Sequence, residues 1–225
     1  MSMDKKTIII GAGRLGDQAF FRKKIAEVGE SLIVCCDGGA RHLRTMGIDP
    51  DVIIGDMDSI DPGQLAEYVS QEVKIIRYPV NKDFTDTELA LDYALSLKPA
   101  AVYIWGALGG RIDHTLANVF LLRGRRKRGT VIYLVDEYCE SFVVDKETLF
   151  IDAIGQTVSL IALSPKVAGI TLTGFLYPLT EETLTMGPSR GISNIVNETC
   201  AHIQVRSGNL LVIRYWRQDI FPGVE

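Results

Sequence analysis

Histidine is scarce in this 225-residue sequence, with three in all, and the four cysteines (Cys35, Cys36, Cys139, Cys200) show no C-x-x-C spacing. These absences argue against a zinc centre and against a disulfide framework. Cys35 and Cys36 sit inside an apolar run and read as buried thiols of a reducing compartment, so the cytoplasm is the expected location. No Walker sequence G-x-x-x-x-G-K-[ST] occurs, and a bound nucleotide must be held by other means. The opening Met1–Lys6 leads into a short apolar stretch that runs into glycine. It is too short for a bilayer span, lacks a signal-peptide cleavage pattern, and reads as a first strand. The formal net charge of −4 gives no reason to expect a nucleic-acid or membrane surface. The basic run Arg123–Arg128 lacks interleaved aromatics and stands at a predicted helix end, where cations complement the helix dipole. There is no low-complexity segment and no internal repeat.

With 47% of residues apolar, the chain can bury a core, and its length suits two modest domains. Short apolar runs at Thr7–Ile10, Ser31–Cys36, Val52–Ile54, Val73–Arg77, Ala101–Trp105 and Thr130–Val135 read as strands. Helical segments alternate with them, among them Pro62–Val69 and Thr85–Leu97, where Leu89, Tyr93 and Leu97 recur at helical spacing. Such alternation predicts a doubly wound, mostly parallel sheet with helices on both faces. After Asp136 the texture changes to short β-rich runs separated by Gly, Pro, Asn and Ser, the pattern of an all-β sandwich. The expected domains are 1–140, α/β, and 141–225, β-sandwich.

Three acidic clusters follow apolar runs: Gly55-Asp56-Met57-Asp58-Ser59, Asp83-Phe84-Thr85-Asp86 and Arg111-Ile112-Asp113-His114. If Asp56 and Asp58 lie at a strand end, the two-residue period points both carboxylates the same way. At about 4 Å and an effective dielectric of about 20, such a pair repels by roughly 4 kcal/mol. A cation, a shared proton or full solvation must relieve this. Ligands of open α/β sheets sit beyond the carboxyl ends of the strands, where all three clusters fall. Together they read as a divalent-metal and polyphosphate site. Each has a plainer reading as well: a helix N-cap at Ser59 or Asp61, a capping box from Thr85 to Glu88, an N-cap at Asp113.

Gly11-Ala12-Gly13-Arg14-Leu15-Gly16 fits G-x-G-x-x-G and follows a strand, with Asp37 about twenty residues on. A dehydrogenase, however, has no need of metal-type carboxylates at 56, 58 and 86. Asp37-Gly38-Gly39 lets backbone approach a ligand closely, and Lys82 can reach a phosphate. Gly109-Gly110-Arg111 offers a turn and a guanidinium suited to phosphate oxygens.

Taken in order, Asp37-Gly-Gly-Ala, Gly55-Asp56-Met-Asp58-Ser59, Lys82-Asp83-Phe-Thr85-Asp86, Gly109-Gly-Arg111-Ile-Asp113-His114, Gly174-Phe-Leu-Tyr177-Pro-Leu179 and Gly191-Ile-Ser193-Asn194 resemble the thiamine pyrophosphokinase family. The likeness spans both expected domains. It implies an α/β domain that binds ATP and Mg2+, a β-sandwich that contributes to the thiamine site, and a homodimer with shared active sites. The implied reaction moves the pyrophosphoryl group of ATP to the thiamine hydroxyl, giving thiamine diphosphate and AMP. Asp56, Asp58 and Asp86 would be the metal-associated residues, with Asp37 nearby. Asp56, Asp58, Asp86, Arg111 and Asp113 would form the catalytic set. Asp37, Gly38, Lys82, Asp83, Thr85, Gly110 and Arg111 would line the nucleotide and phosphate site. Tyr177 would stack on thiamine, with Ser193 and Asn194 bordering the aminopyrimidine. The alternatives are a pyrophosphokinase for another hydroxymethyl heterocycle, such as a pterin, and a non-catalytic nucleotide or thiamine sensor.

Overall fold

The computed structural model describes residues 5–81, 83–125 and 129–216. The chain divides into two compact units, Met1–Glu137 and Tyr138–Glu225. In the first, strands and helices alternate: β1 (Lys6–Ile10), α1 (Gln18–Val28), β2 (Ser31–Cys36), a 3-10 turn over Asp37–Gly39, α2 (Ala40–Met46), β3 (Val52–Gly55), α3 (Pro62–Ser70), β4 (Lys74–Arg77), α4 (Asp86–Ser96), β5 (Ala101–Trp105), α5 (Ile112–Gly124) and β6 (Val131–Val135). The strands pair in parallel in the order β6-β5-β1-β2-β3-β4. Ile8, Ile9 and Ile10 are all fully buried, because helices cover both faces of a parallel sheet and a central strand loses the in–out alternation. The connections run one way from β1 to β4, then return to place β5 on the other side of β1. A crevice opens at such a reversal, beyond the carboxyl ends of the two strands.

Helix α4 falls where the spacing predicts it, capped by Thr85 and Leu97. Its buried residues are Leu89, Ala90, Leu91, Ala94 and Leu95, whereas Leu97 is 51% exposed. At about 100° per residue, Leu91 and Leu95 lie about 200° around the helix from Leu89 and Tyr93. Leu97 is the C-cap residue, one position past the last residue of the helix. Helix α1 begins at Gln18 and not directly after Gly16, with Asp17 as its cap.

The second unit holds β7 (Cys139–Val144), β8 (Glu147–Ile151), β9 (Thr157–Ala162), β10 (Lys166–Thr173), β11 (Leu179–Thr185), β12 (Asn194–Ile195), β13 (Cys200–Gln204) and β14 (Leu210–Tyr215). The pairs β12-β9-β14-β7 and β11-β10-β13-β8 are all antiparallel. Alternation returns here: in β13, Ala201 and Ile203 are buried between exposed Cys200 and Gln204, as expected where one face meets a core and the other solvent. Strand β10 is four residues longer at its start than the apolar run Ile170–Thr173 suggests. Register shifts near Ala168 and Ile170 break its pattern. No helix among the described residues is long and apolar enough to cross a membrane.

Phe150 is 2% exposed and packs edge-on against Phe175, with ring centroids 6.0 Å apart. Truncation to alanine removes about 3–5 kcal/mol from a packed core. Phe150→Ala should accordingly lower the denaturant midpoint followed by circular dichroism; an unchanged midpoint would deny this ring its place in the core.

Candidate active site

Parallel register brings the first carboxylates together. Cys36 at the end of β2 pairs with Ile54 in β3, so the next residues, Asp37 and Gly55, emerge level with one another. Gly55 has φ +155°, and a Cβ there would stand 2.9 Å from Cγ of Asp37. The glycine of Gly55-Asp56-Met57-Asp58 thus makes room for a side chain from the neighbouring strand. Asp56 and Asp58 lie beyond β3, and strand alternation does not align them. Met57 is left-handed at φ +71°, and the Asp58 N–H donates to Oδ1 of Asp56 at 3.2 Å. This turn curls the segment so that oxygens of Asp37, Asp56 and Asp58 all lie within 4.8 Å of one another. Ser59 donates to Oδ1 of Asp58 at 2.8 Å, and the cap of α3 is Asp61.

Asp37 is the constrained member. It is 2% exposed; its Oδ1 accepts from the Gly38 N–H at 2.5 Å. Its buried Oδ2 has no hydrogen-bond partner among the described residues. Burial raises its pKa, the charge of Asp86 and the side chain of Asp56 add to the rise, and the Gly38 N–H opposes it. Oxygen donors alone, with one buried and unsatisfied, fit a hard divalent cation such as Mg2+ or Ca2+. Asp86 stands in the first turn of α4, which Thr85 caps by accepting the Glu88 N–H at 3.2 Å. The Glu88 carboxylate reaches Arg125 at 2.5 Å and does not complete a capping box.

A cleft of about 380 Å³ opens at the sheet reversal. Its walls come from Ala12 to Arg14 after β1, Cys36 at the end of β2, Thr85 to Thr87, and Gly106, Ala107 and Gly109 to Arg111 after β5. Of the residues singled out in the sequence, Thr85, Asp86, Gly110 and Arg111 line it. So do Arg14, Arg41 and Asn118, whose roles the motifs do not announce. Asn118 is buried and donates to the Ala107 carbonyl at 2.8 Å. Asp113 is exposed and grips Arg111 through Nε at 3.1 Å. The Arg111 guanidinium holds its carboxyl at about 2, so it is ionised at any physiological pH. Asp83 is exposed, Gly38 is packed against Ala12, and Lys82 lies outside the described residues. The Rossmann reading of Gly11–Gly16 meets a specific obstacle. The Asp17 carboxylate accepts the N–H groups of Ala19 and Phe20, putting a negative charge where a dinucleotide phosphate would sit.

In the second unit a cavity of about 250 Å³ is lined by Leu160, Leu172, Tyr177, Leu179, Arg190, Gly191, Ile192 and Asn194. Tyr177 is 63% exposed. Asn194 is buried; it accepts the Tyr177 N–H at 3.0 Å and donates to the Tyr177 carbonyl at 2.8 Å. Its amide therefore holds the tyrosine backbone. Ser193 is left-handed at φ +60°, and its N–H donates to Ser159 Oγ at 3.0 Å.

Because its pKa is raised on folding, the Asp37 carboxyl favours the folded state at pH below its unfolded value. That contribution is lost as pH rises through the raised pKa. Asp37→Asn should raise the melting temperature of the protein in chelator at pH 7, with the gain shrinking in acid. A lower melting temperature at pH 7 would contradict the crowding.

Residues 26–134 match the family model described as thiamin pyrophosphokinase, catalytic domain, and residues 144–210 match that of thiamin pyrophosphokinase, vitamin B1 binding domain. A thiamine pyrophosphokinase of Bacillus subtilis is 33% identical over 186 residues, covering 82% of this chain and 87% of that protein. The crystal structure of thiamine pyrophosphokinase from the same organism superimposes with a TM-score of 0.83 at 30% identity, over 94% of this chain and 99% of that one. The yeast thiamin pyrophosphokinase structure, at 18% identity, shares the fold with a TM-score of 0.79 over 96% of this chain and 88% of that one. The matched segments span both units and include the carboxylate turn, the tyrosine cavity and the cleft walls other than Ala12 to Arg14: the chain belongs to the thiamin pyrophosphokinase family.

Proposed function

We propose that the chain transfers the terminal pyrophosphoryl group of ATP to the hydroxyl of thiamine, giving thiamine diphosphate and AMP, in a Mg2+-dependent reaction. The observation that carries this is the convergence of Asp37, Asp56 and Asp58 on one point, with Asp86 close enough to raise the pKa of Asp37. In this reading Asp56, Asp58 and Asp86, with Asp37 beside them, hold the ion. When bound, it neutralises phosphate charge and orients the β-phosphorus for in-line attack. Arg111 offers a planar fork to phosphate oxygens, and Asp113 keeps that fork oriented. The thiamine hydroxyl oxygen forms a bond to the β-phosphorus. The bond from that phosphorus to the α–β bridging oxygen breaks, AMP leaves with the oxygen, and the hydroxyl proton is released.

We assign ATP and ion binding to residues 1–140 and thiamine binding to 141–225. Tyr177 offers its exposed face to the cationic thiazolium, Ser193 borders the aminopyrimidine, and Asn194 fixes the loop that presents the tyrosine. The assembly is a homodimer with shared sites; exposed Leu176, Tyr177 and Ile192 support an apolar surface there for a second copy to cover. Cys35, Cys36 and Cys139 are buried thiols that form no disulfide among the described residues, which supports a cytoplasmic location.

AMP release with Mg2+, ATP and candidate alcohols tests the reaction. Thiamine should be turned over, chelator should abolish turnover, and a pterin alcohol used in preference to thiamine would overturn the substrate. Asp56→Asn and Asp58→Asn should each lower turnover by about 10²-fold or more, as loss of charge stabilisation does, while the protein stays folded; full turnover would remove these carboxylates from the chemistry. A cation–π contact is worth about 0.5–2 kcal/mol. Tyr177→Ala should accordingly raise KM for thiamine by about 2- to 30-fold, with KM for ATP unmoved.

A further inference from the structure

Between β1 and α1 the chain runs through seven residues without regular structure, yet it is held from three sides. The Gly11 N–H donates to the Trp105 carbonyl at 2.7 Å and the Gly13 N–H to the Gly106 carbonyl at 2.9 Å. From α2, Arg41 donates to the Ala12 carbonyl and His42 Nε2 lies 2.8 Å from the Gly13 carbonyl. The third hold is Glu137, two residues past β6. Its side chain is 6% exposed, and its Oε1 accepts from Arg14 Nη2 at 2.5 Å. Its Oε2 accepts the Asp17 N–H. A Cβ on Gly16 would stand 2.0 Å from that Oε2, so the third glycine of the motif is where a buried carboxylate enters the loop.

A buried carboxylate left without a cation is costly, and Arg14 supplies one. The pair is lopsided, however. The glutamate is enclosed, while the Arg14 side chain is 54% exposed and forms part of the cleft wall with Arg41 and Arg111. A guanidinium presents its N–H donors in a rigid plane that matches phosphate oxygens. We infer that Arg14 contacts the phosphate chain of the nucleotide beyond its α-phosphate and that Glu137 is the positioning residue that holds Arg14 there. This deepens the preceding reading of the cleft as the ATP site and rests on it. The glycine-rich turn then serves a phosphate through a side chain it carries, with its helix terminus already capped by Asp17.

Steady-state kinetics and calorimetry on the full chain test this. Arg14→Ala should raise KM for MgATP about tenfold, the loss typical of one charge-assisted contact, with KM for thiamine and kcat changed less than about threefold. In titrations with Mg2+ present, ATP should bind Arg14→Ala about tenfold more weakly and AMP nearly as before. Arg14→Lys, which keeps charge without the fork, should fall between. Glu137→Gln keeps the size and an acceptor for the Asp17 N–H. It should raise KM for MgATP alone, and adding it to Arg14→Ala should cost nothing further on that constant. If Glu137→Gln does not fold, the two Arg14 variants still decide the contact. Unchanged ATP affinity in Arg14→Ala, equal weakening of AMP, or multiplied losses in the double variant would overturn the inference. A parent protein that binds ATP but does not turn over thiamine would strike at the proposed reaction, leaving the calorimetric result to judge Arg14.

Discussion

Crowded like charge at one edge of a parallel sheet is the constraint on which the first unit depends. Asp37 leaves β2 level with Gly55 of β3, and the turn through left-handed Met57 brings Asp56 and Asp58 to the same place. Carboxylates a few ångströms apart in a partly buried setting repel by several kcal/mol unless something intervenes. The Gly38 N–H donates to one oxygen of Asp37, and the other oxygen, buried, is unsatisfied among the described residues. This is a poor arrangement for an isolated protein and a good one for holding a hard cation.

Beside this negative cluster the same sheet edge gathers positive charge. Arg14, Arg41 and Arg111 reach the cleft from three different segments, and each has structural support: Glu137 under Arg14, the Ala12 carbonyl at Arg41, Asp113 against Arg111. Arginine is suited to this, since its fork spans an anchor and a ligand at once. A polyphosphate and a divalent ion are complementary to such a divided surface in a way that a neutral heterocycle is not. The apolar cavity beside Tyr177 has the opposite character.

Much of this was legible before any coordinates, though not always for the right reason. Alternation gave the parallel sheet because local periodicity and connectivity carry that information. Asp56-x-Asp58 was visible as a pair, but strand geometry was credited with what a left-handed turn achieves. Helix α4 was legible from spacing, and its buried face, Ala90, Leu91, Ala94 and Leu95, follows from the sheet it packs on. The family resemblance sets Asn194 at the border of the aminopyrimidine; the structure turns its amide onto the Tyr177 backbone, a bond that no spacing rule anticipates. Glu137 lies more than a hundred positions from the loop it holds, a distance across which sequence pattern says nothing. The available hint was its position just past the last parallel strand, at the edge where the other acidic residues gather.

The Asn194 clamp bears on how the second unit can change. Three hydrogen bonds, two to Tyr177 and one from the Ile195 N–H, make this amide a hinge pin for the loop that carries the aromatic ring. Altering it would displace the ring as a whole. The cavity wall is unevenly open to change: Leu160 and Leu172 are buried in the core, whereas Ile192 is exposed and lines the cavity without holding the tyrosine backbone.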